Sequence, residues 1–317
     1  MAHGDGAMAD RGGAMANRDG AMPGRDGAVA DRGGAMADRD GAMPDLDGAM
    51  AGRDGAMTDA GTMRGGGEGG PAVVIERRGL ALWARMSRPE RGNACGPDTV
   101  AGLREWLARA GDPGLRALVL TGSGSSFCAG ADMRAGSAYL GDTAALARYI
   151  RGGRDLVDAI AAAPLPVVAA VNGVALAGGF ELVQAADVVV AGRRARFGDA
   201  HARHGVVPGW GSSARLPRLV GPKVAAHLLL TGADMDAEAM HRLGLVSIVV
   251  ADGELEQAVD DLVARLPANG ATRARLLRLA RGGGHGSLDS ALAREWQELT
   301  DHLSEPGLLD GVRRFVS

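Results

Sequence analysis

A glycine in every seven residues of the N-terminal segment confines any packed fold to the remainder of this 317-residue chain. From residue 6 to residue 61 the sequence repeats units close to G-A-M-A-D-R-D. The alanine and methionine of each unit are adjacent, so they lack the spacing of a coiled-coil seam, and each glycine costs a helix about 1 kcal/mol relative to alanine. Because almost no branched or aromatic side chains are available to form a core, residues 1–70 are predicted to be a disordered low-complexity tail, with a partner-binding tail as the alternative.

Charge, cysteine content and hydropathy argue against several classes of protein. The net charge is −3 and no dense run of lysine or arginine occurs, which disfavours a nucleic-acid partner. The two cysteines, Cys95 and Cys128, are too few for a disulfide framework or a four-thiolate zinc site, and we predict no metal site. No run of about 18 apolar residues and no continuous apolar leader segment occurs, so we expect a soluble cytoplasmic protein with no membrane partner.

Short apolar runs alternate with segments of helical periodicity after the linker at residues 65–70. Continuous apolar runs predict strands, several of them buried on both faces, at residues 72–75, 80–83, 117–120, 166–171, 187–190 and 246–250. Apolar residues at helical spacing predict helices at residues 97–110, 144–162 and 288–303. Strands that alternate with helices predict an α/β domain, and the chain from residue 255 onward is predicted to be helical.

Two glycine-rich turns follow predicted buried strands. The first reads F-C-A-G-A-D-M at residues 127–133, and the second reads V-N-G-V-A-L-A-G-G-F-E-L at residues 171–182. Small residues let a ligand approach the main chain, and the unpaired amides at a helix N-terminus attract negative charge. Two such amides facing each other would form an oxyanion hole, although each turn alone is equally consistent with a plain strand-to-helix connection.

Further motifs accompany these turns in a fixed order. They are R-P-E-R-G-N-A at residues 88–94, P-G-W-G at 208–211, L-T-G at 230–232, L-G-L-V at 243–246 and G-V-R-R-F at 311–315. One of them alone would be a weak signal, but their order and spacing together are specific. With them, the chain resembles the enoyl-CoA hydratase (crotonase) family over essentially all of residues 72–315.

The resemblance implies a fold, an assembly and a substrate. The implied fold is α/β: a crotonase-like spiral of β-β-α units over residues 71–254, followed by a helical C-terminal region, 255–317, that mediates homotrimers, usually paired into hexamers. The implied substrate is an acyl-CoA thioester, and no cofactor is implied beyond the coenzyme A that the substrate carries. The family stabilises an enolate with two backbone amides, which match Ala131 and Gly178. The matching substrate-binding positions are Ala129, Gly130, Arg134 and Gly179.

The two acid–base groups of the family's hydratases are both glutamates, and this chain departs from that pattern. The first matches Glu181, whose place in a first helical turn also fits a favourable interaction with the helix dipole. The second position, after Phe197-Gly198, is His201, whose imidazole titrates near pH 6.5 and could act as acid or base. Asp199 is an alternative carboxylate, but a two-residue offset would place it on a different face if this stretch is helical.

We therefore expect an enoyl-CoA hydratase, a lyase that adds water across the 2,3 double bond of a 2-enoyl-CoA. Glu181 would position or activate the water, His201 would assist proton transfer, and the amides of Ala131 and Gly178 would hold the enolate. Isomerisation, decarboxylation and thioester hydrolysis are alternatives, because lyases and decarboxylases share the scaffold. If His201 is only a polar wall residue, a weakly catalytic CoA-binding protein is a further alternative.

Overall fold

The computed structural model describes residues 70–284 and 286–305. The predicted tail at residues 1–70 lies outside the described residues except for Gly70, and so does the G-V-R-R-F motif at residues 311–315. Within the described part of the chain, no helix is both long and apolar enough to cross a bilayer.

The strands and helices follow one another in short units. The strands are β1 (Val73–Arg78), β2 (Ala81–Met86), β3 (Ala117–Gly122), β4 (Ser126–Cys128), β5 (Val167–Val171), β6 (Val174–Leu176), β7 (Val188–Gly192), β8 (Arg196–Gly198), β9 (Asp234–Asp236) and β10 (Ile248–Val250). The α-helices are α1 (Pro97–Ala108), α2 (Met133–Ser137), α3 (Thr143–Ala161), α4 (Gly178–Ala185), α5 (Ser212–Val220), α6 (Pro222–Thr231), α7 (Ala237–Arg242), α8 (Leu255–Arg265), α9 (Gly270–Gly282) and α10 (Leu288–Leu303). Each of the predicted strands and helices occurs, with ends that shift by a few residues.

The larger sheet has the strand order β1-β2-β3-β5-β7-β10 among the described residues. β1 and β2 form an antiparallel hairpin, and the other neighbours pair in parallel. Alternate residues enter different cores: Leu118 and Leu120 of β3 pack into the main core, whereas Val119 packs with Val259 and Val263 of α8 on the opposite face. Burial of both faces explains why β3 and β5 appear in the sequence as continuous apolar runs rather than as alternating ones.

A smaller sheet has the order β4-β6-β8-β9, in which β4, β6 and β8 are parallel. Each of these three strands comes directly after a strand of the larger sheet, and α2, α4 and α5 follow them in turn. The chain therefore repeats a β-β-α unit that places one strand in each sheet. The predicted α/β fold of β-β-α units is confirmed, and the described elements after β10 are helical.

Candidate active site

The predicted site residues lie at the carboxyl ends of the three parallel strands of the smaller sheet. Ala129–Ala131 follow β4, Gly178 follows β6 after one residue, and His201 follows β8. Because β4, β6 and β8 are hydrogen-bonded neighbours, these three ends meet at one edge of the sheet. The carboxyl ends of parallel strands are where α/β folds usually bind ligands.

The two glycine-rich turns touch each other at this edge. A Cβ placed on Gly130, whose φ is +112°, would lie 3.1 Å from the amide nitrogen of Gly178. The backbone of Cys95 is hydrogen-bonded to the residues on both sides of Ala131. Its carbonyl oxygen accepts from the amide of Asp132 at 3.1 Å, and its amide donates to the carbonyl oxygen of Gly130 at 2.7 Å. Within the described residues, neither the Ala131 amide nor the Gly178 amide has a hydrogen-bond acceptor. Two unpaired donors in adjacent turns can hold a developing oxyanion.

Close backbone contact and positive φ account for the small residues of the second turn. A Cβ on Gly179 would lie 2.0 Å from the carbonyl oxygen of Cys128, so a side chain at Gly179 would drive the turns apart. The residue before the helix, Ala177, has φ +47° and ψ −121°, a conformation that favours glycine. Gly179 therefore has a packing role, and its predicted contact with substrate stays a prediction.

Glu181 lies one turn into α4 and only 1% of its surface is exposed. Its Oε1 atom accepts hydrogen bonds from the backbone amides of Trp210 at 2.8 Å and Ser212 at 2.9 Å. Burial raises the pKa of Glu181, although the two amides and the nearby His201 oppose that effect. The second oxygen, Oε2, lies 3.9 Å from Nε2 of His201, so the two predicted catalytic side chains face each other.

His201 begins a short 3-10 helix, His201–His204, and its ring is held from the other side by Asp199. Nδ1 of the ring lies 2.8 Å from Oδ1 of Asp199, which is fully buried. Burial is the largest single influence on the pKa of His201 and lowers it, because burial disfavours the charged imidazolium. The hydrogen bond and charge of Asp199, together with the charge of Glu181, outweigh burial, so the pKa of His201 is raised. The ring therefore lies with Nδ1 at Asp199 and Nε2 toward Glu181.

The placement of Asp199 on a different face from His201 required a helix through this stretch. That condition is not met, because β8 ends at Gly198 and the 3-10 helix begins only at His201. Between them Ala200 has φ +57°, and the His201 amide bonds back to the carbonyl oxygen of Asp199 at 2.7 Å. This reversal brings the two side chains together. His204, three residues on, is exposed.

The predicted CoA-binding positions lie beside the first turn. The amide of Ala129 donates to the carbonyl oxygen of Gly92 at 2.8 Å, and its side chain is exposed. Arg134 lies in α2 with an exposed side chain, and its amide donates to the capping carboxylate of Asp132 at 3.0 Å. Across the described residues, no group of three or more metal-ligating side chains is placed to hold an ion.

Trp210 is a site residue that sequence reasoning did not identify as functional. Its amide holds Glu181, and its indole Nε1 donates to the carbonyl oxygen of Ile150 in α3 at 2.9 Å. The ring fills the space next to two glycines, because a Cβ on Gly178 would lie 2.3 Å from it and one on Gly153 would lie 2.1 Å from it. The available signal was a tryptophan inside the glycine-rich P-G-W-G motif.

Comparison with known sequences decides the family. The sequence model of the enoyl-CoA hydratase/isomerase family matches residues 78–293. This chain belongs to the enoyl-CoA hydratase/isomerase family. The resemblance drawn from the motifs is confirmed, and the three strand ends above form the candidate active site of a family member.

Relatives and solved structures agree over most of the folded chain. The chain is 35% identical over 228 residues to a crotonyl-CoA hydratase of Syntrophomonas wolfei subsp. wolfei, covering 70% of this chain and 86% of that protein. It is 30% identical over 247 residues to a short-chain-enoyl-CoA hydratase of Clostridium acetobutylicum, covering 77% of this chain and 94% of that protein. The crystal structure of an enoyl-CoA hydratase from Mycobacterium smegmatis superposes with a TM-score of 0.73 at 30% identity, covering 78% of this chain and 96% of that one. The crotonase-like fold is thereby confirmed.

Proposed function

We propose that this protein is an enoyl-CoA hydratase that adds water across the 2,3 double bond of a 2-enoyl-CoA thioester. The observation that carries the proposal is the 3.9 Å separation between Glu181 Oε2 and His201 Nε2, beside the amides of Ala131 and Gly178, which have no acceptor among the described residues. Two ionisable groups that face each other next to an oxyanion hole match the needs of hydration, which moves one proton off water and one onto carbon. The hydratase names of the relatives support the same reaction.

In the proposed reaction Glu181 takes one proton from water, and His201 gives one proton to carbon. The carboxylate of Glu181 accepts a proton from water through Oε2, and the water oxygen bonds to C3. The electrons of the double bond move to the thioester oxygen, which the amides of Ala131 and Gly178 stabilise as an enolate. Nε2–H of the His201 imidazolium protonates C2, the carbonyl re-forms, and return of the proton from Glu181 to His201 restores the starting state.

The roles of Glu181 as base and His201 as acid are assigned from the hydrogen-bond partners of each side chain. Oε1 of Glu181 is fixed by two backbone amides, which favour the charged form, and this leaves Oε2 to take a proton. Nδ1 of His201 faces Asp199 and Nε2 faces the site, so the ring can carry and deliver a proton at Nε2.

The same proposal gives roles to the remaining predicted positions. Gly130 and Gly179 keep the two turns close enough for both amides to reach one thioester oxygen. The exposed residues Ala129 and Arg134 would meet the adenine and the phosphates of coenzyme A. The reaction needs no cofactor beyond the coenzyme A of the substrate. Both described cysteines are unpaired thiols, which supports a cytoplasmic location.

The assembly proposed for this chain is a homotrimer or a hexamer built through α10. One face of this helix exposes large apolar side chains at spacings of three and four residues: Leu288, Leu292, Trp296, Leu299 and Leu303. The opposite side of α10 is tied to α9 by ion pairs of Arg275 and Arg278 with Glu298. Light scattering should therefore give a smaller mass for Trp296→Glu than for wild type, whereas Gln297→Glu on the neighbouring polar position should leave the mass unchanged.

Crotonyl-CoA hydration tests the proposed function. The enoyl thioester absorbance should fall, and mass spectrometry should find a product that gains one water and keeps its CoA. Glu181→Gln should lower kcat by about 10²- to 10⁴-fold, because the amide cannot accept the proton of water. Glu238→Gln, an exposed carboxylate in the first turn of α7, is the matched control and should retain full activity.

The product identifies the reaction if hydration is not the activity. Across a panel of CoA thioesters that includes a carboxylated acyl-CoA, a product of unchanged mass would indicate isomerisation, loss of CO₂ would indicate decarboxylation, and release of free CoA would indicate thioester hydrolysis. Binding of CoA thioesters without turnover would leave a CoA-binding protein. Normal hydration by Glu181→Gln would refute the role given to that side chain.

A further inference from the structure

Asp199 is a buried carboxylate that none of the steps above uses directly. It lies between β8 and the 3-10 helix His201–His204, and its side chain is fully buried. Oδ1 faces Nδ1 of His201 at 2.8 Å, while Oδ2 is buried without a hydrogen-bond partner among the described residues. A buried carboxylate with a single partner is costly unless that partner carries the opposite charge. The imidazolium of His201 is the partner that the structure provides.

The surroundings of the His201 ring leave Asp199 as its closest charge partner. From α4 the ring faces Glu181, whose Oε2 is 3.9 Å from Nε2. On the ring's own 3-10 helix, Arg203 is directed to Asp234 at 2.8 Å. The packed helix α6 contributes Lys223 and His227, which are both exposed and form no ion pair within the described residues. The charges that act on the ring are thus two carboxylates, one at each nitrogen.

The geometry also fixes which nitrogen faces the reaction. Ala200 in the left-handed conformation turns the chain so that the backbone and the carboxylate of Asp199 both contact His201. With Nδ1 held by Oδ1, the ring cannot rotate to offer Nδ1 to the substrate without leaving Asp199 Oδ1 buried and unpaired, as Oδ2 already is. Nε2 is therefore the nitrogen that is kept next to Glu181.

We propose that Asp199 is a positioning residue that holds His201 as an imidazolium with Nε2–H directed at the reacting carbon. The proposal rests on the proposed hydration, in which His201 delivers the proton to C2. In effect an Asp–His pair takes the place of a single catalytic carboxylic acid at the end of β8. Asp199 itself touches no substrate in this arrangement and acts only through the imidazole.

The first test follows the His201 imidazole in the free protein by NMR, without substrate. The chain has seven histidines, and His201→Gln identifies the resonance by its loss, with His204→Gln as the matched control on the same 3-10 helix. In wild type, His201 should titrate above the ordinary midpoint of about pH 6.5. In Asp199→Asn the midpoint should fall by about 1 to 3 pH units, because the carboxylate at Nδ1 is lost.

The second test measures kcat for crotonyl-CoA hydration against pH. Asp199→Asn should move the alkaline limb of the profile to lower pH by the same amount. At pH values above the wild-type midpoint it should lower kcat by about 10- to 10³-fold, since the imidazolium population there falls tenfold for each unit by which the midpoint drops. Added to His201→Gln, the same substitution should cause no further loss, because Asp199 acts through the ring. Asp234→Asn removes a nearby carboxylate that pairs with arginines, and it should leave the alkaline limb in place.

The outcomes separate this proposal from the proposed function. An unchanged His201 midpoint in Asp199→Asn, or an equal loss of activity in the His201→Gln background, would overturn the role of Asp199. If Asp199→Asn does not fold, a wild-type midpoint at or below pH 6.5 would overturn it as well. If wild type does not hydrate crotonyl-CoA, the proposed function fails while the titration still decides whether Asp199 holds the imidazolium.

Discussion

Two adjacent glycines of α3 provide a test of how the carboxylate of Glu181, the proposed base, is held. A Cβ on Gly153 would lie 2.1 Å from two ring carbons of Trp210, whereas a Cβ on Gly152 has no atom within 4 Å. Carbon atoms pack at about 3.5 to 4.0 Å, so Gly153→Ala requires the indole or α3 to move by about 1.4 Å or more. The indole of Trp210 is hydrogen-bonded to the carbonyl oxygen of Ile150 in α3, and the backbone amide of Trp210 is hydrogen-bonded to Glu181.

Gly153→Ala should therefore reduce both stability and activity. Overpacking of this kind costs about 1 to 3 kcal/mol, of which about 1 kcal/mol is offset by the better helix propensity of alanine. A misplacement of about 1 Å at a catalytic group can cost about 10²-fold in rate, so kcat for crotonyl-CoA hydration should fall by about that factor. Gly152→Ala keeps the propensity gain without the clash and should be more stable than wild type by about 0.5 to 1 kcal/mol, with unchanged kcat.

Urea denaturation and steady-state hydration of crotonyl-CoA measure the two effects. The two variants add the same methyl group to neighbouring positions of one helix, so differences between them report the contact with Trp210. Equal stability and equal kcat in the two variants would refute the argument that the indole ring and Glu181 are positioned together.

Three further predictions concern proton transfer, backbone strain and the tail. The plot of kcat against pH should be bell-shaped. Its acid limb should lie above the ordinary glutamate pKa because burial raises the pKa of Glu181, and its alkaline limb should lie above pH 6.5 because the pKa of His201 is raised. Measurement of kcat for crotonyl-CoA hydration across pH tests both limbs. Ala177→Gly should raise the free energy of unfolding by about 1 kcal/mol, measured in urea, since φ +47° strains alanine. Removing residues 1–69 should leave kcat unchanged, because the proposed site lies wholly in the described chain.

Much of the fold could be predicted because its long elements carry clear periodic signals. The apolar spacing predicts α10 at residues 288–303, where the structure places it, and the continuous apolar runs predict β3 and β5. The smaller sheet could not be predicted in this way, since β4, β6 and β8 are three residues long and too short to show alternation. The motifs located the turns after these strands, but not the sheet that brings the turns together.

The site was predictable only as far as its residues belong to local motifs. Glu181 and the two amides lie in glycine-rich turns, which the structure brings to one edge of the smaller sheet, and the oxyanion hole stays a prediction. The partnership of Asp199 with His201 depends on the positive φ of Ala200, which sequence periodicity does not reveal. The amides of Trp210 and Ser212 reach Glu181 across about 30 residues, as a consequence of tertiary packing.

The three neighbouring strand ends of the candidate site contribute different kinds of chemical group. In the proposed mechanism the turns after β4 and β6 contribute main-chain amides that would polarise the thioester, and these depend on backbone shape rather than on side-chain identity. The segment after β8 would contribute the proton donor of that mechanism through side chains alone. A point substitution after β8 can thus exchange one acid for another, or abolish it, while the machinery that activates the acyl group stays in place. In this chain the residues after β8 form an Asp–His pair, Asp199 with His201.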